Sequence, residues 1–538
     1  MTLWPSLGGL LNGAACYLVA GLAAVLAAQT AVPGPAAAET DPVTCNIRYN
    51  LPGDIRGNIP FARPDSDRAS RIVNKYGWRT FLALNAEAVG KTVSRTGDNR
   101  TQWENWSSSE SLIQCARDLK NCVCDSADCL SGRVEHYPAE CQAIEGFRDY
   151  RVLGQISKID DSFLQATIRQ LSNTPLIDAN GKFVRFEIMV SPATQDYVVK
   201  NRFYDAEVLA NLTKNLRFPC GREAYTGGDP ASKKSGSFVV KNAWMEVPAD
   251  SIGFGLENRY LRDYHTEELL VYTPSYRNRS GVATCEKKTM ALVGQHITHK
   301  TLKQSRWTWS TFEHKNNAPD CTALPPPGNK VGSGPSVACP KKTTADYNFY
   351  PQACSKNGTD PDACQSCNAT PVSNRRGCIN PAVAGDISWC LDRPPAKVAG
   401  TSRLCRQIPT RHYKTGRLNK ACAQALGRDS VWSNYEQIAT QWYATKDTSC
   451  ITSTTVDFTE QRPLVPVSGP AVGPKTPYLA NTSMESAIRA NCLGCHRGGR
   501  VGPKDTISTD FMYWIQVEAA GLSEAAHGLA DIAGRSPH

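Results

Sequence analysis

Residues 70–88 place apolar side chains at Ile72, Val73, Tyr76, Trp78, Phe81, Leu82 and Leu84. That spacing returns to one side every three to four residues and predicts an amphipathic helix. The period changes after residue 175. An Asn180-Gly181 dipeptide separates two short runs, and Phe183, Arg185 and Glu187 then alternate with Val184, Phe186 and Ile188. Alternation of period two next to Asn-Gly predicts a hairpin. Residues 191–216 return to a helical spacing. Phe238-Val239-Val240 through Trp244, residues 289–298 and residues 307–314 are rich in β-branched and aromatic types, which predicts strands. These patterns together predict an α+β fold whose body is a mainly antiparallel sheet.

Two stretches break the pattern. Residues 318–400 hold seven cysteines, Pro325-Pro326-Pro327 and many Gly, Ser and Asn, and residues 461–478 hold five prolines. The first predicts a disulfide-tied irregular insertion and the second an extended linker. No internal repeat is present at solenoid or propeller periods. The expected organisation is a signal segment over 1–38, an α+β body over 39–320, a cysteine-rich irregular insertion over 321–460, and a C-terminal segment over 461–538 packed on the body.

The signal reading rests on residues 1–38, which contain no Asp, Glu, Lys or Arg, and on the Ala36-Ala37-Ala38 that precedes Glu39. A long apolar run ending in small residues is the pattern of a secretory leader. Its n-region lacks Lys and Arg, so an uncleaved anchor stays open as the alternative. Export places the chain in an oxidising compartment, periplasmic or secreted. Beyond Cys16, and apart from Cys492 and Cys495, 18 of the 21 cysteines remain, an even number that suits disulfides. Cys115, Cys122, Cys124, Cys129 and Cys141 form one expected local cluster and the run from Cys321 to Cys390 another. Cys364-Gln365-Ser366-Cys367 has no histidine after it and reads as structural disulfide pairing, with a zinc or redox role as the alternative.

The 538 residues carry 60 Lys+Arg against 50 Asp+Glu, and 41% are hydrophobic. That balance excludes a disordered chain and, with a single long apolar stretch, a polytopic membrane protein. The net charge of +10 is spread without a basic block, so no nucleic-acid partner is expected.

Candidate chemistry concentrates in Cys492-Leu493-Gly494-Cys495-His496. C-x-x-C-H is the attachment signature of c-type haem: the two thiols add to the porphyrin vinyl groups and the histidine becomes the proximal axial ligand. A helix brings residues at this spacing onto one side. Thr482-Ser483-Met484-Glu485 fits a capping box for it, and Gly498-Gly499 a stop. One such motif predicts one covalent haem c, held by Cys492, Cys495 and His496. Only 42 residues follow His496, too few to enclose a porphyrin, so the rest of its surroundings must come from the upstream body.

The second axial position is not fixed by spacing. His296 and His299 lie in one strand-like run, and their odd separation puts them on opposite faces. His296, His314 and Met512 remain candidates, as does an open iron. His527 and His538 lie in the tail.

Four stretches also carry a resemblance. They are Trp78-Arg79-Thr80-Phe81-Leu82-Ala83-Leu84-Asn85; Val240-Lys241-Asn242-Ala243-Trp244; Gly294-Gln295-His296-Ile297 with Lys300-Thr301, running on to Trp309-Ser310-Thr311-Phe312-Glu313-His314; and Leu479-Ala480-Asn481-Thr482-Ser483-Met484-Glu485 leading into the haem motif. Together they are similar to a family of exported bacterial proteins described simply as cytochrome c family proteins. The similarity spans most of 70–320 and 478–520 and leaves out 321–450. Asp510-Phe511-Met512-Tyr513-Trp514 stands where that family more usually has Asp-Phe-Ser-Phe-Leu. The resemblance implies a periplasmic mono-haem protein and no particular activity.

The expectation is therefore a mono-haem c-type cytochrome that transfers electrons to a periplasmic redox partner protein, without a membrane span after leader cleavage. The alternative is a haem-dependent oxidoreductase, peroxidase- or oxygenase-like, with an open distal site in the large body. A haem-based sensor or a structural subunit of a larger assembly is the third class.

Overall fold

The computed structural model describes residues 43–47, 50–56, 67–85, 100–154, 176–221, 235–249, 259–275, 278, 280–304, 306–321, 340, 346–350, 378–379, 387–388, 404–406, 414–443, 463–464, 480–484, 492, 496 and 499–521. A nine-stranded sheet organises them. Its strands are β1 (Ser107–Ser108), β2 (Val152–Leu153), β3 (Arg185–Val190), β4 (Phe238–Glu246), β5 (Thr266–Thr273), β6 (Thr284–His299), β7 (Thr308–His314), β8 (Tyr435–Tyr443) and β9 (Pro463–Leu464). The main path runs β1-β3-β4-β6-β7-β8-β9. One edge of β6 pairs with β4. Its other edge pairs with β5 along Thr284–Ala291 and with β7 along Gly294–His299. Every described pair in this sheet is antiparallel except β2 with β5. The mainly antiparallel α+β body expected from the periods is present.

The 16 residues of β6 divide the core in two. Directly paired residues project to the same side. Gly294, His296 and Thr298 on β6 therefore share a face with Glu313, Thr311 and Trp309 on β7 and with Ala243, Lys241 and Val239 on β4. Gln295, Ile297 and His299 share the other face with Phe312, Ser310 and Thr308.

That second face is covered by α1 (Asp67–Leu84). The helix lies close because Gly77 has no side chain: a Cβ there would run into Gln437, Ser310 and Thr440. Phe81 then stacks on Phe312 at 4.2 Å between ring centroids. Asn85, at the end of α1, donates to Gln295 Oε1 (3.1 Å), and Gln295 donates to Asn242 Oδ1 (2.9 Å).

Residues 191–216 form two helices and not one. α2 is Ser109–Arg117, α3 is Pro192–Lys200 and α4 is Ala206–Ala210; Arg202 at φ +55° turns the chain between α3 and α4. At Asn180-Gly181 the chain does reverse, with Gly181 at φ +72° and Asp178 Oδ1 accepting from the Asn180 and Lys182 amides. The strand that follows, β3, pairs with β1 and β4, and only an isolated bridge joins Ile177 to Phe183.

The expected irregular insertion over 321–460 needs correction. Its last part builds α5 (Lys414–Leu426) and β8, which extends the main sheet beside β7. Part of the earlier stretch docks on the core too: Phe349, Tyr350 and Leu404 are buried, and Arg406 pairs with the buried Glu313. Cys364 and Cys367 lie outside the described residues.

Five disulfides have both ends described: Cys45–Cys422, Cys115–Cys122, Cys124–Cys129, Cys141–Cys285 and Cys321–Cys405. Cys220 is disulfide-bonded as well. The first expected cluster is local as predicted except for Cys141, which reaches β6. Among the described residues no helix is long and apolar enough to cross a membrane. The expected leader, residues 1–38, lies outside them.

Candidate functional site

The approach to the haem-type motif is sewn onto the first sheet face. Asn481 Nδ2 donates to Thr311 Oγ1 and to Phe312 O, both at 2.8 Å. Its Oδ1 accepts from the Ser483 amide (2.9 Å) and hydroxyl (2.6 Å), forming an Asx turn. Thr482 donates to Glu313 Oε2 from both its amide (2.9 Å) and its hydroxyl (2.7 Å). Glu313 is fully buried, and its other oxygen takes the Arg406 guanidinium. The turn fits because Gly294 beneath it carries no Cβ, which would collide with Ser483. Thr482 thus spends its hydroxyl proton on Glu313, and Glu485, the other half of the expected capping box, lies outside the described residues.

The expected C-terminal helix is not shown as such. Of 485–498 only Cys492 and His496 are described, each with helical backbone. Cys495 lies outside the described residues, as do His527 and His538. After the motif come a two-stranded hairpin, Arg500–Val501 with Ile507–Ser508, and a π-helical turn, Ile515–Gly521.

Cys492 is buried in a cluster that includes Val239 and Trp309 from the sheet face and Phe511, Met512 and Trp514 from the C-terminal segment. The His496 ring lies against Trp309 at 4.3 Å between centroids and meets Tyr513 edge-on at 5.5 Å. Its Nδ1 donates to the Phe511 carbonyl at 2.9 Å. In the neutral imidazole that bond places the proton on Nδ1 and the lone pair on Nε2, the tautomer that binds a metal through Nε2.

The Phe511 carbonyl reaches His496 through unusual backbone. Asp510 at φ +53° and Phe511 at φ +71° both lie in the left-handed region, which costs non-glycine residues energy. An ion pair holds them there. Lys300, at the end of β6, pairs with Asp510, and both side chains are 6% exposed. The Phe218 amide donates to the same carboxylate at 2.9 Å. Burial pushes the Asp510 carboxyl up, and Lys300 opposes that shift.

The candidate axial residues are distributed between the two faces. His296 is buried on the face that carries Trp309 and the motif. His299 points the other way; it accepts from the Tyr76 hydroxyl and donates to Ser235 O, and burial depresses its pKa to about 3. His314 is also on the α1 side. Its Nε2 donates to Asp263 O (3.1 Å), its Nδ1 accepts from the Asn316 amide (3.2 Å), and it stacks on Tyr264. Burial depresses its pKa to about 3 as well. Met512 is buried in the same cluster as Cys492, directly after the residue whose carbonyl holds His496.

Three buried donors near the motif have no hydrogen-bond partner among the described residues: Trp309 Nε1, Trp514 Nε1 and Thr509 Oγ1. The indoles of Trp432 and Trp442, elsewhere in the core, share that condition.

A second polar cluster was not visible in the sequence. Glu104, His265 and Glu267 bring ligand-type atoms within 4.8 Å of one another, with His265 Nε2 at 2.5 Å from Glu104 Oε1. The Arg151 guanidinium, paired with Glu187 and Glu267, supplies the cation of this group. It reads as a buried ion network joining β2, β3 and β5.

No protein-family model, curated protein or solved structure matches the chain.

Proposed function

We propose that this chain is a periplasmic mono-haem c-type cytochrome that transfers electrons. Cys492 and Cys495 would hold the porphyrin and His496 Nε2 the iron. The observation that carries this reading is the His496 Nδ1 bond to the Phe511 carbonyl, because it orients an imidazole as a metal ligand within a C-x-x-C-H motif. The orphaned donors of Trp309, Trp514 and Thr509 suit the carboxylates that haem carries on its edge. When bound, haem c supplies one-electron redox chemistry. The protein residues exclude water, orient the imidazole and, through the fixed carbonyl, raise the basicity of Nε2.

His296 would be the second protein residue to hold the iron. It shares the motif's sheet face, whereas His314 lies on the opposite one with both ring nitrogens engaged. Met512 follows directly on Phe511, whose carbonyl bonds Nδ1 of His496.

The test is expression in a periplasm equipped for c-type maturation, followed by intact mass measurement under denaturing conditions. The mass of one haem should be retained, and be lost from Cys492→Ala/Cys495→Ala. A wild-type chain with no added porphyrin mass refutes the reading. The ferrous spectrum should be low-spin and insensitive to carbon monoxide, and His296→Ala should make it sensitive. A wild-type protein that binds carbon monoxide instead favours the open-iron oxidoreductase.

A further inference from the structure

On the α1 side of the sheet, away from the C-x-x-C-H motif, a partly open cavity of about 230 Å3 lies between α1, α5 and the segment 44–46. Ile72, Lys75, Tyr76 and Arg79 line it from α1. Their spacing is three, four and seven residues, one stripe of a helix. Trp78 and Leu418 complete an apolar floor, and Thr44, Cys45, Asn46 and Arg56 form the opposite wall.

Each wall is tied in place. The Cys45–Cys422 disulfide fixes 44–46 to α5. Trp78 Nε1 donates to Asn419 Oδ1 at 2.8 Å, which fixes α1 to α5. The Tyr76 hydroxyl donates to His299 on β6. A void lined by apolar groups forfeits packing energy and normally collapses; here cross-links and hydrogen bonds from three elements hold it open. It is therefore a preformed site. Its volume exceeds the roughly 150 Å3 that admits one benzene, and suits an apolar body of about ten carbons.

The rim sets the charge of the occupant. Arg56, Lys75 and Arg79 contribute three cations, and among the described residues the lining contains no carboxylate, although the charge of Asp54 reaches Tyr76. Asp54, the nearest acid along the chain, turns its Oδ1 to the amides of Ile55 and Lys303.

We propose that this cavity binds an amphipathic organic anion: an aromatic carboxylate whose ring lies on Ile72, Trp78 and Leu418 and whose carboxylate meets the Lys75 and Arg79 side of the rim. The site is independent of the haem reading, and neither depends on the other's success.

The experiment is isothermal titration of the full oxidised chain with 2-naphthoate, and in parallel with the uncharged 2-naphthalenemethanol. The expected result is one bound naphthoate with a Kd on the order of 0.1 mM, as fits a ligand of this size. The alcohol should bind at least about tenfold more weakly, because it lacks the charge that the rim attracts. Ile72→Trp fills the cavity from a half-buried helix position and should abolish binding. Lys75→Gln, at an exposed position, should weaken binding about fivefold and flatten its salt dependence. Absence of binding at millimolar naphthoate overturns the proposal. So does equal affinity for the alcohol, or a natively folded Ile72→Trp that binds as before.

Discussion

Removing Lys300 tests how the strained carbonyl behind His496 is held. Lys300→Met leaves the Asp510 carboxylate 6% exposed without its cation, with the Phe218 amide and the Trp307 side chain left to offset its charge. Breaking one side of a buried pair costs about 3–5 kcal/mol, and that is the expected loss at pH 8. Burial already raises the Asp510 pKa, and loss of the ammonium raises it further. A carboxyl whose folded pKa lies above its unfolded value holds its proton more tightly in the folded state. The variant therefore regains stability as pH falls through the raised folded pKa toward the unfolded value. By pH 5 the penalty should shrink by at least about 1 kcal/mol. Adding Asp510→Asn removes the orphaned charge while keeping a residue type that tolerates left-handed backbone. The double variant should recover about 1–3 kcal/mol relative to the sum of the single changes. Guanidinium denaturation followed by far-UV circular dichroism at both pH values measures all four corners of the cycle. A Lys300→Met cost below about 1 kcal/mol at pH 8, unchanged at pH 5, with additive double-variant behaviour, would refute the anchoring role.

Two further outcomes follow from packing and burial. Gly77→Ala usually stabilises a helix by about 1 kcal/mol, but here the added Cβ meets three side chains of β7 and β8. The expected result is a net loss of about 2 kcal/mol, read from the denaturation midpoint; a gain would mean that α1 does not press on the sheet at this point. Asp178 is fully buried, and desolvation raises its pKa to about 7 despite two backbone amides. Its folded pKa exceeds the unfolded one, so the stability it contributes is complete below about pH 4 and is lost as pH rises to about 7. Asp178→Asn keeps the turn acceptor and should remove up to about 4 kcal/mol of that pH dependence. Identical slopes for wild type and variant between pH 4 and 8 would exclude this.

The strands with clean alternation or β-branched runs were legible in the sequence, as were α1 and the turn at Asn180-Gly181. β8 was not. Its Gln437, Thr440 and Gln441 are fully buried, and side-chain hydrogen bonds such as Gln437 Nε2 to Thr440 Oγ1 (3.0 Å) tie them to one another. Hydropathy scores such residues as surface, so the strand was absorbed into the expected insertion. α5 was hidden in the same way by Lys414, Arg417 and Lys420 and by Gly416. In the candidate site the motif itself was plain. The carbonyl that orients His496 was not, because left-handed backbone at Asp510 and Phe511 has no signature in those residue types. Strand register, which assigns His296 and His314 to opposite faces, was not legible either.

The pairing of β7 with β8 also fixes when the sheet can be finished. β7 ends at His314 and its neighbour begins at Tyr435. A chain emerging amino-end first therefore carries a row of open backbone donors and acceptors through all of the polypeptide between them. Such an edge invites a neighbouring chain to dock. Safe assembly of this molecule thus depends on keeping nascent copies apart until its late strand arrives.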